Sequence, residues 1–251
     1  MIAEALLYAA TLPSTSKPHR KYIRYSVNLW SRAKRCSRDW EEHEANSRRA
    51  IVNAMAGCRQ RRTAVVLGSG LLRDVPIRAL ADAFDTVVLI DLVHVATVRL
   101  AMKRKAYRNI RLIERDLSGY DDLAAGKTPE PLGFLRNVPY LDFVVSANLL
   151  SQIGRGVQRR FETERARMPA DTVEQLIAAH LSGLIGMPFK SCLLTDVSYN
   201  VIDRNGATHE ETDLMHGVAV PKAQAGWAWP VVPTGEESPD YQVVHRVIAA
   251  Y

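Results

Sequence analysis

The residues that decide the fold lie between positions 63 and 74 and read Thr63-Ala-Val-Val-Leu-Gly-Ser-Gly-Leu-Leu-Arg-Asp74. The apolar run from Ala64 to Leu67 predicts a strand buried on both faces, which Gly68 and Gly70 end before a helical pattern begins. Glycine reaches positive φ easily and lets a ligand approach the bare backbone, while the N-terminus of the following helix offers unpaired N–H groups. The turn is therefore a candidate nucleotide site, and an ordinary tight strand-to-helix turn is the alternative.

The composition is that of an ordinary globular protein, because 47% of the 251 residues are hydrophobic and 24% are charged. We expect a helical cap over residues 1–62 and one large α/β domain over residues 63–251. No apolar run approaches the roughly 20 residues that span a bilayer. Met1 to Ala10 contains Glu4 and lacks a basic region, which favours an amphipathic helix over a secretory signal and suggests a cytoplasmic protein.

The cysteine and histidine patterns do not indicate disulfide bonds or a metal centre. Cys36, Cys58 and Cys192 are odd in number and far apart, which argues against a disulfide framework and gives no Cys-x-x-Cys metal pair. The segment Thr208 to His216 contains two histidines among three acids, but the spacing matches no standard ligand motif. We expect a polar loop there and no bound metal.

Basic residues are concentrated near the N-terminus. The segment from His19 to Arg38 contains seven lysines and arginines and no acid, in a chain whose net charge is +6. Apolar residues share one side of a helix drawn through this segment, namely Tyr22, Leu29, Ala33, Cys36 and Trp40. The resulting basic amphipathic helix could bind an anionic partner such as nucleic acid, an acidic substrate or a membrane surface, or it could be a solvated face. A second helix is predicted from Glu41 to Met55.

Carboxylates follow the next two predicted strands. The β-branched run Thr86 to Ile90 ends in Asp91, about twenty residues after the glycine turn, where a carboxylate can bind both ribose hydroxyls of a nucleotide. A helix is predicted over Val95 to Tyr107, and the strand Ile110 to Ile113 then leads to Asp116, which could bind an adenine amino group. A helix cap, a loop acid or a turn acid is the simpler alternative for these residues.

Three segments together resemble the first three cofactor-binding motifs of class I S-adenosylmethionine-dependent methyltransferases: Val66 to Gly70, Val88 to Asp91 and Glu114 to Leu117. The resemblance implies a Rossmann-like fold that binds S-adenosylmethionine. It also implies that the cofactor contacts Leu67, Gly68, Ser69, Gly70, Asp91, Leu92, Asp116, Leu117 and Asn148. Many family members carry an acid two residues before the first glycine and a third glycine two residues after the second, where this chain has Val66 and Leu72. A relative that keeps the fold as a non-catalytic scaffold is therefore an alternative.

The second half of the chain predicts the rest of the sheet. Leu141 to Ser146 is a fourth strand, and Ser191 to Thr195 is a fifth strand that leads to Asp196. Trp227 to Val232 and Tyr241 to Ile248 then form two strands joined by eight turn-type residues. A closing antiparallel pair is typical of the methyltransferase sheet and not of nicotinamide-dependent Rossmann domains, so an NAD-dependent oxidoreductase is a more distant alternative.

Helices and polar residues flank these strands. A charged segment from Arg155 to Arg167 indicates an exposed loop and helix, and a helix follows from Asp171 to Leu184 with His180 more simply a packed or surface histidine than a ligand. In the family, the end of the fourth strand faces the transferred methyl group. Candidates for that reaction cleft are Ser146, Asn148 and Gln152. No Asn-Pro-Pro-Tyr type of motif is present, which disfavours methylation of amino groups on bases or glutamine.

These patterns predict a three-layer αβα sandwich with a mostly parallel, seven-stranded sheet, an antiparallel last strand, and N-terminal helices as a lid over the cofactor edge. The expected function is methyl transfer to an unidentified acceptor, with a small molecule favoured over nucleic acid. Weak candidates for a catalytic role are Asn148, Asp196, Tyr199 and His216, and those for binding the acceptor are Arg20, Arg24 and Tyr25.

Overall fold

A computed structural model describes residues 1–105, 107–165 and 167–251. Within these ranges the helices are α1 (Ile2–Thr11), α2 (Ile23–Arg35), α3 (Glu41–Ala56), α4 (Ile77–Ala83), α5 (Ala96–Arg104), α6 (Tyr120–Ala124), α7 (Leu150–Glu164) and α8 (Thr172–Ile185). The strands are β1 (Thr63–Leu67), β2 (Thr86–Asp91), β3 (Ile110–Glu114), β4 (Leu141–Ala147), β5 (Lys190–Asp203), β6 (Thr208–Asp213), β7 (Ala225–Val232) and β8 (Tyr241–Ala250). The predicted helix Val95 to Tyr107 and charged segment Arg155 to Arg167 include Ala106 and Ala166, which lie outside the described residues.

The strands form one sheet with the order β3-β2-β1-β4-β5-β8-β7, and β6 pairs with β5 beside this path. Strands β1 to β5 run parallel, while β8 is antiparallel to both β5 and β7. The predicted αβα fold is therefore confirmed, including the antiparallel last strand and its place in the same sheet as the parallel strands. This order brings the carboxyl ends of β2, β1 and β4 next to one another.

The sheet has one strand more than predicted, because the segment Thr208–Asp213 is strand β6 and not a loop. Strand β5 continues past Thr195 to Asp203, and the chain returns through Asn205 and Gly206, where Gly206 has a φ of +86°. The Asn-Gly pair is a strong hairpin signal because both residues tolerate positive φ. The polar side chains of β6 face solvent on this exposed hairpin, which is why their composition resembles that of a loop.

The core lies on both faces of the sheet. On one face, α3, α4 and α5 cover residues such as Val66 and Phe143, and on the other face α6, α7 and α8 cover residues such as Val65 and Val144. Neighbouring residues of one strand serve opposite faces because side chains alternate along a strand. This double coverage explains why β1 and β4 consist of nearly continuous apolar runs.

The first two helices pack over the loop that follows β2 and over the start of α5. Leu7 of α1 and Ile23 and Val27 of α2 form one apolar cluster with Val93 and Val98. The predicted apolar stripe was wrong at Leu29, which is 38% exposed. The buried face of α2 runs through Ile23, Val27 and Ala33, so Leu29 lies off this face. The predicted domain boundary at residue 62 stays a prediction.

Helix α3 shares its apolar core with the sheet, and one substitution tests how firmly it is anchored. Ile51 is fully buried in the cluster that contains Val66 and Phe143. We expect Ile51→Val to lower the free energy of unfolding by about 0.5 to 1.5 kcal/mol, because it deletes one buried methylene. Chemical denaturation measures this loss. The neighbouring Val52 is 39% exposed, so Val52→Ala should change stability by at most about 0.5 kcal/mol.

Across residues 1–105, 107–165 and 167–251, the helices lack the combination of length and apolar character that crossing a bilayer requires.

Candidate functional site

The glycine turn after β1 has the backbone conformation that its sequence requires. Gly68 and Gly70 have φ values of +72° and +51°, and the Gly68 N–H donates to the Ile90 carbonyl at 2.9 Å. A Cβ atom on Gly68 would lie 2.9 Å from the Ala147 carbonyl oxygen, whereas on Gly70 the nearest atom would be 3.9 Å away. Gly68 therefore allows close packing against the end of β4, while Gly70 borders open space.

Asp91 ties the glycine turn to the end of β2. One carboxylate oxygen accepts the Gly70 N–H at 2.7 Å and the other accepts the Leu92 N–H at 2.7 Å. Burial raises the pKa of Asp91, and the backbone N–H groups and nearby His94 oppose this rise by favouring the charged form. Each oxygen keeps a lone pair for a further donor, since a carboxylate oxygen can accept two hydrogen bonds.

Leu72 occupies the position where many family members have a third glycine. Its φ is +61°, which lies in the left-handed region that favours glycine. The side chain packs against two apolar clusters, one on the sheet and one under α1 and α2. The turn thus keeps a glycine-type backbone conformation at residue 72, and packing of the leucine side chain offsets the strain.

The end of β3 lies beside the N-terminal segment. Asp116 accepts the Ser118 N–H at 2.8 Å in a turn, and Leu117 is buried. Glu114 accepts the backbone N–H of Ser16 at 2.9 Å and an N–H of Arg99 at 2.7 Å. The segment between α1 and α2 is therefore attached to this edge of the sheet. The sequence predicted the lid formed by the N-terminal helices at the same edge.

Asn148 joins the end of β4 to the glycine turn. Its φ is +47°, and its Nδ2 donates to Asp74 at 2.8 Å. The Asn148 Oδ1 atom is buried, and none of the residues described by the structure donates to it. Burial raises the pKa of Asp74, while the hydrogen bond from Asn148 opposes the rise. A buried acceptor without a donor is rare in native proteins, so Oδ1 is a candidate contact for a bound group.

A buried acid–histidine pair lies where β5 meets β8. Asp196 contacts the Nδ1 atom of His245 at 2.6 Å and accepts the Ser151 hydroxyl at 2.6 Å. Burial alone would raise the pKa of Asp196, but the hydrogen bond and charge of His245, together with Ser151, lower it overall. The carboxylate is therefore held in its charged form beside the imidazole.

Aromatic rings from α3 and β7 adjoin this pair. The His43 ring stacks on Trp229 at 3.8 Å between centroids, and its Nδ1 accepts the indole N–H of Trp227 at 3.1 Å. Burial lowers the pKa of His43 to about 4. On the other side, the ring of Tyr199 stacks on His245 at 5.5 Å. Helix α3 and the sheet thus contact each other through a row of aromatic and imidazole rings.

A cavity of about 390 Å³ adjoins His245. Its walls come from β5, β6, β7, β8, the β7–β8 loop, α2 and α7, and the charged and aromatic side chains among them are Arg32, Arg155, Tyr199, Glu210, Glu237, Tyr241 and His245. We call it the sheet-extension cavity. Its volume is in the range of small-molecule sites.

The structure separates the other predicted residues from this cavity. Gln152 donates to the Asn148 carbonyl at 2.9 Å, whereas His216 is exposed and lies beside Gly154 of α7. Arg20 donates to the Thr15 carbonyl at 3.2 Å, Tyr25 lies under the Arg159 guanidinium, and Arg24 is exposed. Ser146 contacts the fully buried His180 at 3.0 Å, so His180 is packed as expected.

Sequence reasoning missed His43, Asp74, Arg155 and His245. Only His245 has a sequence signal, because it shares with Tyr241, Val243 and Val247 the strand positions that face one side. Within the described residues, the structure contains no group of three histidine, cysteine or acidic side chains that could hold a metal ion. Cys36, Cys58 and Cys192 are free and buried.

No protein-family model matches the chain, and no curated protein matches it by sequence. Similar solved structures include the N-methyltransferase NodS from Bradyrhizobium japonicum WM9 in complex with S-adenosyl-L-homocysteine, with 13% identity, coverage of 82% of this chain and 86% of that chain, and a TM-score of 0.41. The DhpI–SAM–HEP complex has 14% identity and a TM-score of 0.37, and the match covers 87% of this chain and 95% of that chain. The N-terminal domain of EvdMO1 with SAH bound has 13% identity and a TM-score of 0.37, and the match covers 83% of this chain and 81% of that chain.

Proposed function

We propose that the chain binds S-adenosylmethionine and transfers its methyl group to a small molecule. One observation carries the proposal: the glycine turn, Asp91 and Asn148 meet at the carboxyl ends of three adjacent parallel strands. Ligands of open α/β sheets bind at this end, and at the point where the strand order reverses. The reversal here lies between β1 and β4, directly at Gly68 and Asn148.

The residues of this cleft fit the three parts of the cofactor. The Asp91 carboxylate has lone pairs for two ribose hydroxyls, and Leu92 and Leu117 offer apolar contacts to the adenine near Asp116. The partnerless Asn148 Oδ1 can accept a hydrogen bond from the α-ammonium of the methionine part. Asp74 adds a carboxylate next to this amide and so takes over the electrostatic role of the acid that family members carry in place of Val66.

Bound S-adenosylmethionine supplies a methyl group already activated on a sulfonium, so the protein's main task is to hold the acceptor in line and to remove its proton. In this proposal the acceptor binds beside Asn148, where His43 lies 3.5 Å from the amide and stacks on Trp229. His43 is only 3% exposed, so this side of the cleft favours a small acceptor over nucleic acid, which binds along an exposed basic groove.

Isothermal titration calorimetry with S-adenosylmethionine and S-adenosylhomocysteine tests the proposal. We expect saturable heat with both compounds and a higher melting temperature in their presence, because a ligand that binds only the folded chain stabilises it. If neither compound produces heat and the melting temperature does not change, the proposal is wrong. That result would favour a non-catalytic scaffold protein that keeps only the fold.

Removing the Asp91 carboxylate should weaken cofactor binding. We expect Asp91→Ala to cost about 1 to 3 kcal/mol of binding free energy, or roughly 5- to 150-fold in Kd, because charged hydrogen bonds to the ribose are lost. Asp91→Asn keeps the size of the side chain and should lose less. The matched control is Asp82→Asn, which removes the same charge from a side chain that is 68% exposed on α4 and should leave Kd unchanged. Equal Kd values for Asp91→Ala and Asp82→Asn would contradict ribose binding by Asp91.

A further inference from the structure

Helix α1 exposes a side that consists only of apolar residues. Leu7 and Thr11 are buried against the rest of the protein, and Glu4 accepts the Ser31 hydroxyl of α2 at 2.6 Å. The opposite side of the helix is exposed, and we call it the outer face of α1; its residues are Ile2, Ala3, Ala5, Leu6, Ala9 and Ala10. A helix at the surface of a globular protein normally has polar or charged residues on its outer side. The outer face of α1 has none.

Two large side chains dominate this face. Ile2 and Leu6 are 80% and 67% exposed, and their spacing of four positions places them one turn apart on the same side of the helix. Single exposed apolar residues are ordinary, but a contiguous apolar patch marks a surface that another molecule covers. The helix has ten residues and is therefore about 15 Å long, roughly half the apolar thickness of a bilayer. Such a helix can lie on a membrane surface but cannot cross it.

The charge around α1 indicates what kind of surface covers it. Residues 1–35, which include α1 and α2, contain seven lysines and arginines and a single acid, Glu4. Lys17, Lys21 and Arg24 are exposed in the connection between the two helices and in the first turn of α2. Within the ranges that the structure describes, no carboxylate forms an ion pair with any of these three side chains. The cations are therefore available to a negatively charged surface.

A second copy of the chain fits this surface less well than a lipid membrane does. Two outer faces packed on each other would bring two sets of the same cations close together, and like charges repel. The outer face is also only about 15 Å long and 10 Å wide, which is too small for the ~1,200 Å² that a stable interface buries. An anionic membrane accepts apolar side chains between its head groups and attracts the adjacent lysines and arginines.

We propose that the outer face of α1 binds the surface of an anionic membrane, with Lys17, Lys21 and Arg24 beside the lipid phosphates. Ile2 and Leu6 lie at the boundary between head groups and acyl chains in this arrangement, and the axis of α1 is parallel to the membrane. The residues that carry this proposal lie outside the cofactor cleft. Membrane binding is therefore independent of S-adenosylmethionine binding.

Sedimentation with sucrose-loaded vesicles tests the proposal on the full chain without S-adenosylmethionine. Vesicles of phosphatidylcholine and phosphatidylglycerol in equal parts are compared with vesicles of phosphatidylcholine alone. We expect the mixed vesicles to bind the chain at least about tenfold more strongly, because each cation near an anionic surface strengthens binding by about fivefold. Raising the salt concentration from about 50 mM to about 500 mM should release most of the bound chain, because salt screens this attraction.

Leu6→Gln tests the apolar part of the surface. We expect it to weaken binding to the mixed vesicles by about tenfold, because the leucine side chain no longer leaves water on binding. The matched control is Ile185→Gln, since Ile185 is 60% exposed at the end of α8 and should not touch the membrane. Both side chains are exposed, so the melting temperature of each variant should stay close to that of the natural chain.

The double variant Lys17→Gln and Lys21→Gln tests the charged part. It should also weaken binding to the mixed vesicles by about tenfold or more. Lys127→Gln combined with Lys190→Gln removes the same net charge from exposed positions after α6 and at the start of β5, and it should leave binding unchanged.

Several outcomes would overturn the proposal. They are an absence of binding to the mixed vesicles, equal binding to both kinds of vesicle, binding that Leu6→Gln leaves unchanged, or equal losses in the two lysine double variants. A dimer that is stable in analytical ultracentrifugation and that Leu6→Gln dissociates would show instead that a second copy covers α1. The comparison of vesicles needs only the natural chain, so it decides the matter even where a variant does not fold.

Discussion

Acidification from about pH 7.5 to about pH 5 should cost the folded chain about 2 kcal/mol for each of His43 and His180. Burial lowers the pKa of both histidines from 6.5 to about 4, and the side chains are 3% and 0% exposed. Below pH 6.5 the unfolded chain takes up protons at both positions, whereas the folded chain takes them up only near pH 4. Stability is therefore complete above pH 6.5 and falls as the pH drops toward 4.

Denaturant unfolding at several pH values measures this loss. His43→Phe removes one titration while an aromatic ring can still stack on Trp229, so its loss over the same interval should be about 2 kcal/mol smaller than that of the natural chain. His209 is exposed on the β5–β6 hairpin, and His209→Gln should leave the loss unchanged within about 0.5 kcal/mol. A free energy of unfolding that stays constant down to about pH 5 would show that these rings are not held neutral by burial.

The meeting of the glycine turn with Asp91 could be predicted from sequence because its signals are local. The apolar run of β1, the positive-φ glycines and the acid after β2 all lie between Thr63 and Asp91, and parallel pairing brings them together without further information. The topology followed from the alternation of strands and helices and from the closing antiparallel pair. The sequence also predicted the position of Asn148, since it directly follows β4.

The contacts among His43, Trp227, Asp196 and His245 could not be predicted in the same way, because they join distant parts of the chain. Trp227 binds His43 across 184 positions, and His245 binds Asp196 across 49 positions. Both contacts depend on the register of β5 against β8 and on the packing of α3 beside β7. A lone histidine in a strand or helix carries no sign of such a partner. The sequence therefore pointed to Asp196 and Tyr199 but not to the histidine between them.

The two departures from the family pattern, at Val66 and Leu72, could be interpreted only with the structure. Leu72 looks like a lost glycine in the sequence, yet its backbone keeps a glycine-type conformation with φ of +61°. Val66 looks like a lost acid, yet Asp74 brings a carboxylate to the same cleft through its hydrogen bond with Asn148. Leu72 therefore keeps the backbone conformation of a glycine, and Asp74 places a carboxyl group beside Asn148.

The last prediction separates the two glycines of the turn by their surroundings. Gly68→Ala should lower the free energy of unfolding by about 2 to 4 kcal/mol, because it combines left-handed backbone strain with overpacking. The new Cβ would stand 2.9 Å from the Ala147 carbonyl oxygen, so β4 would have to move. Gly70→Ala introduces only the backbone strain, since the nearest atom is 3.9 Å away, and should cost about 1 to 2 kcal/mol.

Cofactor titration should reverse this order of severity. The Cβ of Gly70→Ala would occupy the open space in which the proposed cofactor meets bare backbone, and strain there would disturb the N–H that binds Asp91 at 2.7 Å. We therefore expect Gly70→Ala to fold and yet to bind S-adenosylmethionine about tenfold or more weakly. Gly68→Ala, compared below its own melting temperature, should lose less affinity because its methyl group points toward β4. Denaturant unfolding and calorimetry on both variants supply the four values. Equal stability losses would contradict the packing argument, and unchanged affinity in Gly70→Ala would mean that the cofactor does not lie against this turn.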